Sequence, residues 1–399
     1  MALKAQVIGV GAAGNKGAIK LLTDRVIQNK EDILLVNSTN KDVPNEYMDM
    51  FVQIGDKSQL GGCGKEPNIG EKICLEALQN GSLDLDKFIK PDTKIVIIIC
   101  STEGGTGSGA APVIAKYLRQ VGGLDVHVFA FLGFEEDARG LLNTLNFFKK
   151  LPEDIIVEAI RNKNFLDGRM GNYLKAEERA DEELSVRVSI RLGNLIIPST
   201  QNMDDTDLYK VSTQTGYSNV EYREIDENIR NTQHFNDIIK DMIDNTKSLR
   251  PDTPSQKLLG IMINLPQKDI DSIDYSFSEI TTRYGKPFEK FTHVQSNDGI
   301  CPFIAFISAG MDLPLDEIKA VYDRYLDATQ SVHKDKDEFF SSLEGINSEA
   351  EDEMFDMKNK KPDTQKKNDF FSSFNLETPN RPTASKKSET NKEDKMDNF

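Results

Sequence analysis

The stretch Cys100-Ser101-Thr102-Glu103-Gly104-Gly105-Thr106-Gly107-Ser108-Gly109-Ala110-Ala111 decides the fold. Six apolar residues, Ile95 to Cys100, lead into it, and a helical pattern from Ala110 to Leu118 leads out. An apolar run bounded by turn signals is a strand buried on both faces. Gly104, Gly105, Thr106, Gly107 and Ser108 then form a loop with little side-chain bulk, whose backbone approaches a ligand closely. The helix after it aims its first N–H groups at that loop, the arrangement an anion such as a phosphate chain requires. A bare strand-to-helix turn would need only one or two glycines.

Working outward, strand, glycine turn and helix recur. Ala5 to Val10 is an apolar strand, followed by Gly9-Val10-Gly11-Ala12-Ala13-Gly14 and a helix from about Asn15 to Gln28. This G-x-G-x-x-G invites a dinucleotide reading, which asks for an acidic residue at the end of the second strand. That strand, Ile33 to Val36, ends instead in Asn37-Ser38-Thr39. Next comes Gly61-Gly62-Cys63-Gly64-Lys65-Glu66-Pro67-Asn68-Ile69-Gly70; its Lys65 is followed by Glu66, so it is no Walker A loop. Val126 to Leu132 and Ile155 to Ile160 are further strands, followed by Phe134-Glu135-Glu136-Asp137-Ala138-Arg139 and by Arg161-Asn162. Glu135 and Arg139, four apart, also suit a solvated helical pair. The alternation predicts an α/β domain with a parallel sheet, helices on both faces and ligand loops at the strands' carboxyl ends.

Together these loops resemble the signature loops of the tubulin/FtsZ superfamily, GTPases that polymerise head to tail. The resemblance implies a Rossmann-like GTPase domain, a long central helix, a second, smaller α+β domain and a disordered C-terminal tail. On it, Gly9, Gly11, Ala12, Ala13, Gly14 and Asn15 match a phosphate loop. Asn37 (with Thr39) matches the second loop; Gly64 and Asn68 match the third. Glu103 stands where family patterns often carry glycine, beside Gly104, Gly105, Thr106, Gly107 and Ser108; its carboxylate either serves Mg2+ or faces solvent. Glu135 and Arg139 fall on positions that contact ribose or phosphate, and Asn162 on one that contacts guanine.

The helical pattern from about Asn172 to Leu195, about 35 Å long, resembles the family's core helix. Asp181 falls near its base-reading aspartate, within a turn of register; a solvated acid among Glu177, Glu178, Glu182 and Glu183 is the plainer reading. Asn202-x-Asp204-x-x-Asp207 resembles the catalytic loop, which in that family enters the nucleotide pocket of the next subunit and orients the attacking water. As bare sequence, an Asx-rich stretch after a helix is a capped turn.

These readings divide the chain into a GTP-binding domain (1–171), a core helix (172–197), the catalytic loop with its following helix (198–219), an α+β domain (220–331) and a tail (332–399). The α+β part is predicted to hold a helix from about Ile225 to Ile243 and strands Leu258–Leu265, Phe291–Gln295 and Pro302–Ser308. The tail's polar composition cannot offset chain entropy. Within it, Asp337–Leu343 and Asn368–Phe374 share Phe-Phe-Ser-Ser, and Phe339, Phe340, Phe370 and Phe371 are candidate anchors for an adaptor.

A net charge of −16 over 399 residues argues against direct nucleic-acid binding through phosphate neutralisation. Four cysteines (Cys63, Cys74, Cys100, Cys301) show no C-x-x-C spacing, which argues against a disulfide frame or a zinc site. No apolar run approaches the ~20 residues of a membrane span, and the first residues carry no secretory pattern, so a cytoplasmic protein is expected. The functional expectation is a GTP- and Mg2+-dependent enzyme that assembles with itself. The tail lacks an obvious division-type C-terminal peptide, which tilts the expected role toward the TubZ-like or phage tubulin-like branch, in plasmid or phage DNA positioning. A divergent division FtsZ is the alternative; a Rossmann-type oxidoreductase and a filament regulator without turnover are more distant.

Overall fold

A computed structural model of the chain describes residues 3–55, 62–167, 171–196, 203–226, 228–273, 277–296 and 301–329. Asn202, Gly61 and the tail phenylalanines Phe339, Phe340, Phe370 and Phe371 lie outside them. The first half runs β1 (Ala5–Val10), α1 (Gly11–Thr23), β2 (Ile33–Asn37), β3 (Phe51–Gln53), α2 (Pro67–Asn80), α3 (Leu85–Phe88), β4 (Ile95–Ser101), α4 (Thr106–Gln120), β5 (Asp125–Leu132), α5 (Ala138–Lys150) and β6 (Ile156–Arg161). The second runs α6 (Tyr173–Leu192), α7 (Asp205–Ser212), β7 (Gly216–Glu224), α8 (Thr232–Asp244), β8 (Leu258–Asn264), α9 (Gln267–Ile270), α10 (Ser278–Tyr284), β9 (Glu289–Gln295), β10 (Phe303–Met311) and α11 (Asp316–Thr329).

The described strands form one sheet in the order β3-β2-β1-β4-β5-β6-β7-β10-β8-β9. From β3 to β6 every pairing is parallel, and the order reverses direction between β1 and β4. Strands β1 and β4 are buried on both faces, as their unbroken apolar runs require. Beyond β6 the sheet continues through a short parallel joint, Ile156 with Gly216 and Val157 with Tyr217. It then becomes mixed, with β10 antiparallel to both β7 and β8 and β9 parallel to β8.

Three local expectations need correction. The first helix starts at Gly11, so the glycine turn is itself the first turn of α1; it stops at Thr23, where Arg25 takes a positive φ of 59°. The helix after the Asx-rich loop ends at Ser212, and the expected boundary at residue 220 falls inside β7. The helix expected from Ile225 begins at Thr232, where the Asn231 side chain accepts from the His234 N–H. Strand β7 eluded the sequence because Ser218, Asn219 and Glu221 interrupt its apolar pattern, yet all three are buried.

Those polar residues serve α6. Arg187 and Arg191, one turn apart on that helix, are among the largest fully buried side chains. Glu158, in the middle of β6 and 0% exposed, accepts from Arg187 Nη1 at 2.8 Å and from Arg191 Nε and Nη2 at 2.8 and 2.6 Å. Asn219 Oδ1 and Ser248 Oγ also accept from Arg187, and Ser218 Oγ accepts from Arg191. The Glu183 carboxylate closes on Arg187 from the same helix. Burial holds His127 well below its ordinary pKa, with Arg191 adding to the effect, so the ring beside Glu158 is neutral. Burial likewise pushes the Glu221 carboxyl up to about 7, against the pull of Arg187.

Removing the shared acceptor would strand two guanidinium groups in a dry site. Glu158→Ala is therefore expected to cost about 3–5 kcal/mol. Urea unfolding monitored by circular dichroism checks this; a loss under ~1 kcal/mol would mean the arginines find other partners.

Candidate nucleotide site at the sheet switch point

At a point where strand order reverses, the flanking loops part and leave a crevice at the carboxyl ends of the strands. Here that point lies between β1 and β4, which pair from Ala5–Ile95 to Val10–Cys100. Gly11 has φ +77°, and a Cβ there would meet the Gly107 nitrogen at 3.0 Å. The first and central glycine loops thus touch backbone to backbone. Helices α1 and α4, of 13 and 15 residues, both start at this contact, so two sets of free N–H groups face one cleft. Ala12 and Ala13 put only methyl groups at the mouth, Ala12 exposed and Ala13 half-buried.

The third loop closes one side. A Cβ on Gly105 would sit 2.7 Å from Cys63 Cβ and 2.9 Å from the Glu66 nitrogen. Thr106 Oγ1 donates to Cys63 Sγ (3.3 Å) and lies 2.9 Å from Ser38 Oγ, which joins the second, third and central loops. Asn143 Nδ2 donates to the carbonyls of Lys65 and Glu103, both at 3.1 Å. Ser38 and Cys63 lie inside the second and third loops without having been singled out, and Asn143 lies on α5 outside any motif; all three fix the loops to one another. Gly64 and Asn68 are exposed at the rim, where Lys150 approaches Asn68 Oδ1 at 3.4 Å. Asn37 is buried and accepts from the Ser38 N–H, and Ser108 donates to the Gly104 carbonyl.

Glu103 does not face open solvent. Its carboxylate lies against Gly133 and Gly140, where a Cβ would come within 2.2 and 3.1 Å of it. It accepts from the Glu135 N–H, and burial pushes it above the ordinary carboxylate range. Glu135 precedes α5, with φ +59°, so it and Arg139 do not form a pair along one helix. It bonds Arg161 and Lys163. Burial works to raise its carboxyl, but these two cations outweigh it and hold the group below the usual range. Arg139 turns to Glu66 and donates to the Lys65 carbonyl.

Two buried polar atoms near the cleft lack hydrogen-bond partners among the described residues: Asn15 Nδ2 and Asn162 Oδ1. Asn15 Oδ1 accepts from the Val36 N–H, which fixes the amide and leaves its N–H pair buried and unpartnered among the described residues. Buried groups of this kind call for a partner. Asp181, on α6, has a side chain only 10% exposed, and Lys16 of α1 stands 3.5 Å from it. Burial pushes its carboxyl up to about 6, with Lys16 and Lys20 opposing and Glu177 reinforcing.

Asp204 and Asp207 are elsewhere. Helix α6 starts beside the cleft, where Tyr173 packs edge-on against Phe134 with ring centres 4.6 Å apart. Its last residue, Leu192, accepts from the Leu3 N–H just ahead of β1, at the amino ends of the strands. Twenty helical residues span about 30 Å. Helix α7 lies at that same end, where Tyr209 donates to Asp125 at the start of β5. Asp204 Oδ1 caps α7, accepting from the Thr206 and Asp207 N–H groups at 2.8 Å each, and Asp207 is half-buried one turn in.

All four cysteines are free, with Cys63, Cys74 and Cys100 buried and Cys301 exposed. Among the described residues no group of three His, Cys, Asp or Glu could hold a metal ion, and no helix is long and apolar enough to cross a membrane.

The reversal of strand order and the cluster of glycine loops with two helix N-termini define a doubly wound α/β domain with a cleft suited to an anion. Residues 4–158 match the Tubulin/FtsZ family, GTPase domain. The domain over residues 4–158 is thus of the tubulin/FtsZ type. A cell division protein FtsZ of Aquifex aeolicus (strain VF5) is 31% identical over 221 residues, 54% of this chain and 58% of that relative. The match thus spans little more than half of that protein. Among solved structures, CetZ2 of Haloferax volcanii, a protofilament bound to GTPγS, aligns with TM-score 0.64 at 18% identity, over 84% of this chain and 100% of that one. TubZ of Clostridium botulinum phage c-st aligns with TM-score 0.63 at 14% identity, over 83% and 100%. At these identities the structures share the fold.

A Cβ on Gly107 would lie 2.8 Å from the Ser101 carbonyl and 3.2 Å from that of Val10, both backbone atoms, whereas one on Gly104 would meet nothing within 4 Å. Gly107→Ala is expected to part the two loops and cost about 1–3 kcal/mol, with Gly104→Ala within ~0.5 kcal/mol of wild type. Thermal melting of both variants checks this. Equal melting points would show that the loops are not held at van der Waals contact.

Proposed function

We propose that the chain is a GTPase that assembles head to tail, each subunit's catalytic carboxylates acting on the nucleotide of its neighbour. The observation that carries this reading is the course of α6, a 20-residue helix about 30 Å long: its start lies beside the glycine-loop cleft, and Asp204 and Asp207 follow its far end. No side chain of that reach could serve its own cleft. Stacking two copies pole to pole would bring the two half-sites together. The chemistry fits the division: a carboxylate orients water toward a terminal phosphate, while backbone N–H groups neutralise the charge that develops.

On this reading the phosphates lie against Gly9, Gly11 to Gly14 and Gly104 to Ser108, between the N-termini of α1 and α4. Asn15 and Asn162 supply the buried, unpartnered polar atoms, and Asp181 reads the base. Gly64, Asn68 and Arg139 stand at the rim, with Asn37 buried on the second loop. Glu135, held by Arg161 and Lys163, orders the loop beside the sugar. Mg2+ comes with the triphosphate and draws most of its oxygens from phosphate and water. Asn202 and Asp207 act in trans, with Asp204 as both cap and catalytic group.

For cellular role, we propose the positioning of a cargo through the tail, plasmid or phage DNA carried by an adaptor on Phe339, Phe340, Phe370 and Phe371. A second reading, division, is favoured by the 31% identity to a cell division protein. Deleting residues beyond 332 should leave turnover intact and abolish cargo recruitment in cells.

Two measurements test the enzymatic reading. GTP turnover per molecule should rise steeply above a threshold protein concentration, and Asp207→Ala should bind GTP but slow turnover over a hundredfold, as losing ~3 kcal/mol of transition-state stabilisation requires. Turnover independent of concentration would refute the shared site. Asp204→Ala should in addition lose about 1 kcal/mol of stability with the cap.

The preference for GTP over ATP should also depend on pH. Only the ionised Asp181 carboxylate accepts both guanine donors. With its carboxyl raised to about 6 among Lys16, Lys20 and Glu177, preference should be full above pH 7 and fade as pH falls through 6. Calorimetric titrations at pH 5.5 and 8 with equal preference would remove Asp181 from the base site.

A further inference from the structure

We propose that Glu103 is a positioning residue: its side chain keys the central glycine loop to the loop before α5, so that these two walls of the cleft meet a nucleotide as one preformed piece. The effect on nucleotide binding rests on the reading given above, whereas the key itself rests on geometry alone.

Position 103 is where this sequence puts bulk and charge into a loop otherwise made of glycine, threonine and serine. The side chain occupies a seat that two glycines keep open. A Cβ on Gly133, directly after β5, would fall on the Glu103 carboxylate itself; the three atoms it would meet first all belong to that group. A Cβ on Gly140, in the first turn of α5, would come within 3.1 Å of it. The backbone of Glu103 is held from the same helix, since Asn143 Nδ2 donates to its carbonyl at 3.1 Å.

From this seat Glu103 Oε1 accepts the Glu135 N–H at 3.3 Å. Glu135 has φ +59°, a conformation few residues other than glycine take. It is gripped on two sides, by Glu103 through its N–H and by Arg161 and Lys163 through its carboxylate. Capping does not account for the seat, because Asp137 already caps α5 by accepting from the Gly140 N–H at 2.7 Å. Charge attraction does not account for it either. Burial raises the Glu103 carboxyl, with the Asp137 and Glu135 charges reinforcing and the Glu135 N–H and Lys65 opposing. What the side chain contributes is shape and one well-placed acceptor. A loop already ordered before a ligand arrives need not be ordered by it, and that part of the cost of binding disappears.

The test uses the full-length chain as wild type, Glu103→Ala, Glu103→Gln, Gly133→Ala and the double variant Glu103→Ala/Gly133→Ala. Hydrogen exchange followed by mass spectrometry reads the segment 133–137 in nucleotide-free protein, and calorimetry reads the affinity for GTP and GDP. Glu103→Ala should speed exchange in that segment and weaken both nucleotides about tenfold, the scale of ordering a short loop. Glu103→Gln keeps the shape and the acceptor without the charge, and should restore slow exchange and most of the affinity. Gly133→Ala evicts the carboxylate from the other side of the contact and should match Glu103→Ala. The double variant should then be no weaker than either single one, because the two changes break the same contact. Unchanged exchange in Glu103→Ala, a Glu103→Gln variant as weak as Glu103→Ala, or full additivity in the double variant would each overturn the proposal. Faster exchange with unaltered affinity would overturn it as well. A wild-type chain that binds neither nucleotide would instead remove the nucleotide reading, with the exchange arms still deciding whether Glu103 holds the loop.

Discussion

One carboxylate in the middle of β6 determines how the two halves of this molecule meet. Glu158 is fully buried and shared by Arg187 and Arg191, successive turns of α6. Burying three charges has a large desolvation cost, which their mutual attraction offsets only with added hydrogen bonds. These come from three directions, Glu183 on the helix itself, Ser218 and Asn219 on β7, and Ser248 beyond α8, while Arg187 Nη2 and Arg191 Nη1 have no partner among the described residues. A hydrophobic seam would let α6 slide or rotate against the sheet at modest cost. Directed bonds from one acceptor to two guanidinium groups allow a single register.

That register has consequences at both ends of the helix. At its start, Asp181 is brought beside α1 and Lys16, next to the glycine loops. At its end, the chain turns through Gly193, in the left-handed conformation, toward α7 and the Asp204 cap. A rod of fixed length and orientation runs between the glycine-loop cleft and the Asp204 cap. On the proposed head-to-tail reading, the separation that would keep a monomer from completing its own site is a property of the same helix whose position Glu158 sets. Assembly and catalysis would be coupled by geometry, without requiring a moving part.

What was legible in the sequence follows the same division. The glycine loops could be read because close backbone approach leaves no residue but glycine at positions such as 11 and 107, so the constraint is written in one-letter form. Strands β1, β4 and β5 could be read because burial on both faces demands unbroken apolar runs. Strand β7 could not, since its polar residues are buried as partners of distant arginines and look like solvent-facing ones. Glu158 was hidden for the same reason, as was the pairing of Glu135 with Arg161, 26 positions away. The spacing of Glu135 and Arg139 suggested a local helical pair, whereas tertiary contacts took each to a different partner. Asp204 was legible as a catalytic candidate and as part of an Asx-rich turn, and the structure makes it the N-cap of α7.

Strand β6 makes this arrangement tighter than a list of contacts suggests. Its alternate residues face opposite layers, as any strand's must. Val157 and Ala159 belong to the core shared with α5 and α11, and Ile160 to the core shared with α1 and α6. Its two buried charges follow the same alternation. Glu158 reaches the α6 side, while Arg161, at the strand's carboxyl end, bonds Glu135 ahead of α5 and Glu317 on α11. One short strand therefore holds α6 from one face, and from the other ties the loop at the edge of the cleft to the last described helix. A displacement of α11 would pull on Arg161 and so on Glu135, which already sits at an unfavourable positive φ. A displacement of α6 would pull on Glu158, three residues away in the same strand. The cleft's outer loop and the core helix thus share a single rigid reference, which explains why so polar a segment is buried at the centre of the molecule.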